Sequence, residues 1–114
     1  MKIVKKPWGE ERWLAHTDCY AGKILIVKKG HRLSLQYHQK KHETLYIDEG
    51  VVKITIGKHE PLEEKILRAG DIIEIPPGTR HRIEALEDAK IFEVSTPELD
   101  DVVRVSDDYG REDA

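Results

Sequence analysis

Two side chains that can bind a metal ion stand two residues apart in the segment of residues 33–38. Side chains on a β-strand alternate between its faces, so Gln36 and His38 share one face if this segment is a strand. Glu43 follows after four residues that can form a turn, and it opens the run 44–47, which fits an antiparallel partner strand. An amide oxygen, an imidazole and a carboxylate are ligands that a divalent cation accepts. The spacing therefore indicates most of a metal site.

A second histidine, His81, is the fourth candidate ligand. It comes after an apolar segment that ends at Pro76-Pro77-Gly78, which is a turn signal. His81 then stands at the start of the next predicted strand, and we expect its side chain to face inward. The complete candidate ligand set is Gln36, His38, Glu43 and His81.

The ligand types restrict the metal without selecting it. One carboxylate on a divalent ion leaves the site net positive, and mixed nitrogen and oxygen ligands with open positions suit Zn, Mn, Fe, Co or Ni. Gln36 has an alternative role, because its amide can bond a neighbouring backbone group and leave three protein ligands plus water. An open, positive site can chelate two adjacent sugar oxygens, which acidifies the proton next to a carbonyl.

A reaction that moves such a proton also needs a proton carrier within hydrogen-bond reach. The residues near the ligands that can carry a proton are His42, Lys41, Tyr37 and Glu74. A phosphorylated substrate needs cations at the opening of the site. The cations that flank the candidate ligands in sequence are Arg80, Arg82, Lys40 and Lys41.

The composition indicates one strand-rich domain of 114 residues. Twelve Ile and eight Val favour strands, because β-branched side chains pack well on a pleated surface. A net charge of -3 without a basic cluster argues against nucleic-acid binding. The single cysteine, Cys19, cannot form an internal disulfide, and no apolar run approaches the roughly 20 residues that cross a bilayer. We expect a cytoplasmic protein that binds neither nucleic acid nor membrane.

Gly, Pro and Asp turns divide the chain into short strands, which is typical of an antiparallel sandwich or small barrel. The predicted strands are residues 23–28, 33–38, 44–47, 51–56, 65–68, 71–75, 82–86 and 90–95. We expect 33–38 to pair with 44–47, and 82–86 to pair with 90–95. The whole chain, 1–114, is read as a single domain with an N-terminal arm at 1–22 and a C-terminal tail at 97–114.

The spacing of these residues resembles the two motifs of the cupin superfamily. The first motif is Gly, five residues, His-x-His, four residues, Glu, six residues, Gly, and it is matched here by Gly30, His38, Glu43 and Gly50, with Gln36 in place of the first His. The second motif is matched by Gly70, Pro76, Gly78 and His81, with Ala85 in place of its Asn. The resemblance implies an all-β antiparallel double-stranded β-helix, the cupin jelly-roll barrel, with a bound divalent metal ion.

More narrowly, the chain resembles the cupin domain of type II phosphomannose isomerases, which are mannose-6-phosphate isomerases. The segments that carry this resemblance are Lys6-Pro7-Trp8-Gly9, Leu33-Ser34-Leu35-Gln36-Tyr37-His38, residues 75–82, Asp101-Val102-Val103-Arg104 and residues 107–111. They cover nearly the whole chain. The closing Tyr109-Gly110-Arg111 predicts that Arg111 either seals the site or locks the tail on a partner chain.

The resemblance implies a metal-dependent sugar-phosphate isomerase of the mannose 6-phosphate to fructose 6-phosphate kind. Gln36, His38, Glu43 and His81 then hold the metal. Arg82 and Lys41 orient the sugar phosphate, and His42 is the leading proton carrier. A domain of this size is also expected to form a homodimer.

Three alternatives remain open. The first is a non-catalytic cupin that binds a sugar or sugar phosphate in polysaccharide synthesis. It is favoured by Lys41, Thr44 and Leu45, which stand where the type II family has Arg, His and Trp. The second is an iron dioxygenase, which Gln36 disfavours because such cupins usually use a full His set. The third is a metal-free epimerase, which would leave the ligand set without a role.

Overall fold

The computed structural model describes residues 1–111, and within them the chain forms eleven β-strands and no α-helix. The strands are β1 (Lys2–Lys6), β2 (Gly9–His16), β3 (Ala21–Val27), β4 (Leu35–Tyr37), β5 (Glu43–Glu49), β6 (Val51–Gly57), β7 (Glu63–Arg68), β8 (Ile72–Ile75), β9 (Arg80–Ala85), β10 (Ala89–Ser95) and β11 (Val103–Ser106). Residues 1–111 contain no helix long and apolar enough to cross a lipid bilayer.

The strands form two antiparallel sheets. The six-stranded sheet has the order β1-β2-β3-β10-β5-β8, and the five-stranded sheet has the order β11-β4-β9-β6-β7. Strands that are distant in sequence are neighbours in both sheets, as when β3 pairs with β10 from Ala21↔Ser95 to Val27↔Ala89. The prediction of an all-β, antiparallel jelly roll is confirmed.

One face of each sheet is apolar, and the two faces enclose the core. Along β3, every second residue from Ala21 to Val27 is buried, and the same alternation runs through β5, β9 and β10. The largest side chains that are fully enclosed are Leu25, Leu45, Ile47, Ile54, Ile75 and Ile91. Burying one such side chain stabilises the fold by about 1.5–3 kcal/mol. Polar side chains replace this packing at one end of the space between the sheets.

Two predicted strand pairings are wrong. Residues 33–38 do not pair with 44–47, because β4 lies in the five-stranded sheet between β9 and β11, whereas β5 lies in the six-stranded sheet between β8 and β10. Likewise β9 and β10 belong to opposite sheets. Alternation in the sequence identifies which face of a strand is buried, but it carries no information about which strand lies alongside. The turns at these two places lead the chain from one sheet to the other.

The predicted arm and the described part of the predicted tail both contribute strands to the sheets. The predicted arm contains β1 and β2, which form one edge of the six-stranded sheet, and Trp8 between them is 2% exposed within its own chain. The predicted tail contributes β11, which pairs with β4 at the edge of the five-stranded sheet. The last three residues of the predicted tail, 112–114, lie outside the described residues.

Candidate metal centre

Three of the predicted ligands converge at the polar end of the space between the sheets. His38 follows β4, His81 lies in β9, and Glu43 begins β5 in the opposite sheet. Their ligand atoms all lie within 4.8 Å of one another, and all three side chains are buried. His38 Nε2 is 3.5 Å from Glu43 Oε2, and His81 Nε2 is 3.6 Å from Glu43 Oε1. We refer to His38, Glu43 and His81 as the ligand trio.

Backbone carbonyl groups orient both imidazole rings. His38 donates its Nδ1–H to the carbonyl oxygen of Asp101 at 2.5 Å, and His81 donates its Nδ1–H to that of Thr79 at 3.0 Å. With Nδ1 as the donor, Nε2 carries the lone pair on the side of Glu43. This outer hydrogen bond is the usual way in which a metal-binding histidine is fixed in one tautomer.

The turn that precedes His81 is tied to the strand that precedes His38. Gly78 adopts a left-handed backbone with φ 79°, which glycine tolerates without steric cost. Its N–H donates to the carbonyl oxygen of His38 at 2.7 Å. The Pro76-Pro77-Gly78 turn therefore fixes the distance between the segments that carry the two histidines.

His38 is in its neutral form at neutral pH. Burial lowers the pKa of His38 to about 4, the positive charge of Lys41 acts in the same direction, and the bond to Asp101 opposes them. A neutral imidazole is the form that binds a metal ion.

The trio fits a divalent cation. Two imidazole nitrogens and one carboxylate are a common ligand set for Zn and related ions. Glu43 Oε2 is buried, and its contact with a lysine is an ion pair rather than a well-directed hydrogen bond. A cation between the three side chains would satisfy this oxygen.

Gln36 lies beside the trio. It is directly opposite His81 in the pairing of β4 with β9, so the two side chains project from the same face of the sheet. Its Nε2 donates to Ser34 Oγ at 3.1 Å, and a longer contact of 3.5 Å reaches the Ser34 carbonyl oxygen. The amide nitrogen is therefore engaged, and the amide oxygen is the atom with ligand character.

A ladder of buried charges extends from the trio. Lys41 Nζ lies 2.8 Å from Glu43 Oε2 and 2.8 Å from Glu93 Oε2. Lys23 Nζ lies 3.8 Å from Glu93 Oε2 and 3.2 Å from Glu11 Oε1. Carboxylates and ammonium groups thus alternate from the trio to β2, and each buried charge has a neighbour of opposite sign, as burial requires.

Lys41 remains a cation in this position. Burial alone would lower the pKa of Lys41, but the negative charges of Glu93 and Glu43, each with an oxygen 2.8 Å from its Nζ, outweigh burial, so that the pKa is raised. Lys41 can therefore donate a hydrogen bond or stabilise negative charge, and it cannot act as a base.

The structure does not bring the other two predicted site residues to this cavity. His42 lies just before β5. Its neighbours Lys41 and Glu43 are buried, whereas its own ring contacts Glu74 Oε2 at 2.6 Å on the surface. Arg82 projects from the opposite face of β9 to His81, and its Nε donates to the Leu33 carbonyl oxygen at 2.9 Å. The alternation of side chains that places Gln36 and His38 together also separates Arg82 from His81 and His42 from Glu43, and so keeps Arg82 and His42 out of the cavity.

Sequence reasoning missed three residues of the site. Lys23 and Glu93 occupy inward positions of the otherwise apolar strands β3 and β10, and they are directly opposite each other in the pairing. A charged residue at an inward strand position can be recognised in the sequence, and it indicates a buried polar site. Asp101 was the third, and its carboxylate accepts the backbone N–H groups of Gln39, Lys40 and Lys41 at 3.0, 2.6 and 2.9 Å.

The site lies in a cavity of about 230 Å³. Its lining includes the ligand trio, Gln36, the charge ladder and three further cations, Lys6, Arg104 and Arg111. A two-sheet jelly roll with two histidines and a glutamate converging between its sheets is the arrangement of a cupin. A solved structure of KdgF from Halomonas sp. has the same fold, with a TM-score of 0.77 at 22% identity over 88% of this chain and 91% of that one.

The family model described as "Mannose-6-phosphate isomerase C-terminal" matches residues 1–107, and the chain belongs to this family. Relatives include a mannose-1-phosphate guanylyltransferase of Salmonella montevideo, 35% identical over 113 residues, and the xanthan biosynthesis protein XanB of Xanthomonas campestris pv. campestris, 31% identical over 113 residues. Each alignment covers 95% of this chain and 23% of the relative. The chain thus spans about a quarter of the length of the curated relatives it matches, and it is a sugar-phosphate-related cupin domain.

Proposed function

We propose that this domain is a metal-dependent sugar-phosphate isomerase of the mannose 6-phosphate type. The observation that carries the proposal is the convergence of His38, Glu43 and His81 within 4.8 Å, in a cavity that also contains buried ammonium groups. Membership of a family described by mannose-6-phosphate isomerase supports the choice of substrate. Gln36 completes the proposed ligand set through its amide oxygen.

The residues of the chain have separable roles in this proposal. A divalent cation held by the trio supplies Lewis acidity toward the oxygens of the sugar. Lys41, fixed between Glu43 and Glu93, places a permanent positive charge where negative charge develops on a sugar oxygen when a proton leaves carbon. The side chains of the trio are only 3–6% exposed, and charge interactions are stronger in such a buried setting than in bulk water.

The proposed proton carrier is not His42, the residue that the sequence predicts for this role. His42 lies on the surface, and Lys41 is held as a cation. The carboxylates that line the described part of the cavity, apart from Glu43, are Glu11, Glu93 and Asp100. We assign proton transfer to Glu93, because it is the carboxylate that shares Lys41 with Glu43.

A coupled assay tests the isomerase. Metal-reloaded protein should convert mannose 6-phosphate to fructose 6-phosphate, and His81→Ala should lose both bound metal and turnover. His59→Ala is the matched control, because His59 is exposed in the β6–β7 loop and should keep both properties. A wild-type protein that holds stoichiometric metal and shows no turnover would contradict the isomerase.

We also propose that the domain forms a homodimer. Light scattering on the same samples tests this part of the proposal.

A non-catalytic sugar-phosphate-binding cupin is the second candidate. It is favoured by a specific observation: in the described part of the cavity lining, the only histidines are the two of the trio, and Glu11 and Glu93 are both ion-paired with Lys23. The name of the XanB relative is compatible with a role in polysaccharide synthesis. A thermal shift caused by mannose 6-phosphate without turnover would favour this candidate.

A further inference from the structure

Three cationic side chains from the two ends of the chain line the cavity. Lys6 ends β1, Arg104 lies in β11, and Arg111 follows the last strand. The side chains of Lys6 and Arg111 are 23% and 25% exposed, whereas those of the ligand trio are 3–6% exposed. The cations therefore lie toward the opening, and the trio lies deeper.

The strand register fixes Arg104 relative to the trio. Arg104 is directly opposite Gln36 in the pairing of β11 with β4, and Gln36 is directly opposite His81 in the pairing of β4 with β9. Residues that are directly opposite project from the same face, and neighbouring strands are about 4.8 Å apart. The Cα atoms of Arg104 and His81 are thus roughly 10 Å apart across two strand spacings, on the face that lines the cavity.

Arg111 is held in place by a buried carboxylate. Its Nε donates to Asp107 Oδ2 at 3.0 Å and its NH2 group to Oδ1 at 2.9 Å. Asp107 Oδ2 also accepts the backbone N–H groups of Tyr109 and Arg111. A guanidinium has five N–H donors, so this fixed ion pair still allows Arg111 to donate to a further anion.

Lys6 experiences crowding by like charges. Among residues 1–111, its ion-pair partner is Glu11, whose Oε2 is 3.9 Å away. The other oxygen of Glu11 accepts from Trp13 Nε1 and from Lys23 Nζ. Burial lowers the pKa of Lys6, and the charges of Arg104, Lys23 and Arg111 lower it further against the attraction of Glu11. An anion between these cations would relieve the repulsion.

The cations of the cavity are gathered toward its opening although the chain carries a net charge of -3. Its described lining has five Lys and Arg side chains against four carboxylates, and Asp107, which pairs with Arg111, balances the fifth cation. A divalent cation in the trio would add two further positive charges. Such a cavity favours a dianion over a neutral sugar.

We propose that Lys6, Arg104 and Arg111 form an anion subsite that receives the phosphate group of a sugar phosphate while the sugar end reaches the ligand trio. The identity of the sugar rests on the proposed function, whereas the subsite requires only a phosphate. This subsite takes the place of Arg80 and Arg82, two of the cations that the sequence suggested for binding the phosphate group. Arg82 is bound to the backbone outside the cavity, and Arg80 lies over the ring of Tyr37.

Calorimetric titration of the metal-loaded chain tests the subsite with three probes: inorganic phosphate, mannose 6-phosphate and mannose. Arg104→Gln and Lys6→Gln should each weaken binding of both phosphates roughly tenfold or more, because each removes a charge-assisted contact. Mannose, which lacks the phosphate, should bind the variants and the wild type equally. Arg80→Gln is the matched control, since it removes one positive charge next to His81 but outside the cavity, and it should bind phosphate as the wild type does.

The outcomes separate the subsite from the isomerase. The subsite is overturned if the wild type does not bind phosphate, or if both variants bind it as tightly as the wild type does. If circular dichroism shows that Arg104→Gln does not fold, the phosphate affinity of Lys6→Gln, a substitution on the edge strand β1, tests the subsite instead. A third outcome is that both variants weaken phosphate binding while the wild type holds metal but does not turn over mannose 6-phosphate. This outcome supports the subsite and rejects the isomerase.

Discussion

His38 donates its Nδ1–H to the backbone carbonyl oxygen of Asp101 at 2.5 Å, across a sequence separation of 63 residues. The carboxylate of the same aspartate accepts three backbone N–H groups from residues 39–41, the segment between His38 and Glu43. One residue near the C-terminus therefore orients a candidate ligand and also shapes the turn that leads to the next one.

Asp101→Ala should weaken metal binding without removing any ligand. The substitution leaves three backbone N–H groups without their acceptor, so we expect a loss of about 1–2 kcal/mol in the free energy of unfolding. The backbone carbonyl of Asp101 that orients His38 remains in this variant, and only the turn at residues 39–41 loosens. Metal affinity should therefore fall by less than the roughly 10–100-fold that loss of a direct ligand partner causes. Competition with a chelator measures the affinity, and Asp18→Ala in the exposed β2–β3 turn is the control. Unchanged affinity in Asp101→Ala would show that the turn holds its shape without this carboxylate.

Lys41→Met should destabilise the domain strongly. The ammonium lies 2.8 Å from two buried carboxylate oxygens, and its removal leaves these charges uncompensated, which costs about 3–5 kcal/mol. Chemical denaturation measures the loss, with Lys58→Met in the exposed β6–β7 loop as the control.

The loss caused by Lys41→Met should be smaller in metal-loaded protein than in metal-free protein. A bound cation neutralises Glu43, one of the two carboxylates that lose their partner. Equal losses with and without metal would argue that the cation does not reach Glu43.

Stability of the metal-free protein should fall as the pH falls from about 6.5 toward 4. The pKa of His38 is lowered to about 4 from its ordinary value of 6.5, so the unfolded chain binds this proton before the folded chain does. The contribution is fully present above pH 6.5, and it is lost as the pH falls toward 4. It amounts to roughly 3 kcal/mol, taking 1.36 kcal/mol per pKa unit.

Other carboxylates titrate over part of the same range, so the comparison must isolate His38. Denaturation midpoints of the wild type and His38→Gln should be measured at several pH values between 4 and 7. The wild type should lose more stability than the variant over this range. Parallel curves would mean that His38 is not buried as a neutral ring.

The sequence predicted much of the fold and of the candidate site because both depend on local spacing. Strand alternation placed Gln36 and His38 on one face, and the two motifs identified Glu43 and His81, which the structure brings together with His38. The same alternation, applied to His42 and Arg82, would have put them outside the cavity. Their assignment rested on proximity in sequence to the ligands, which is a poor guide when neighbouring side chains point in opposite directions.

The remaining errors concern long-range pairing. The placement of β4 and β5 in different sheets depends on which strands pack side by side, and a short turn is compatible with either a hairpin or a crossing between sheets. Lys23 and Glu93 meet only because β3 pairs with β10, at a separation of 70 residues. No local pattern reveals such a contact, although two charges at inward strand positions indicate that partners exist.

Anomalous X-ray scattering from a crystal of the metal-reloaded protein tests the central claim most directly, because it locates the ion and identifies the element. We predict one strong peak within bonding distance of His38 Nε2, His81 Nε2 and a carboxylate oxygen of Glu43. A peak elsewhere, or no peak at the trio in protein that contains stoichiometric metal, would contradict the account.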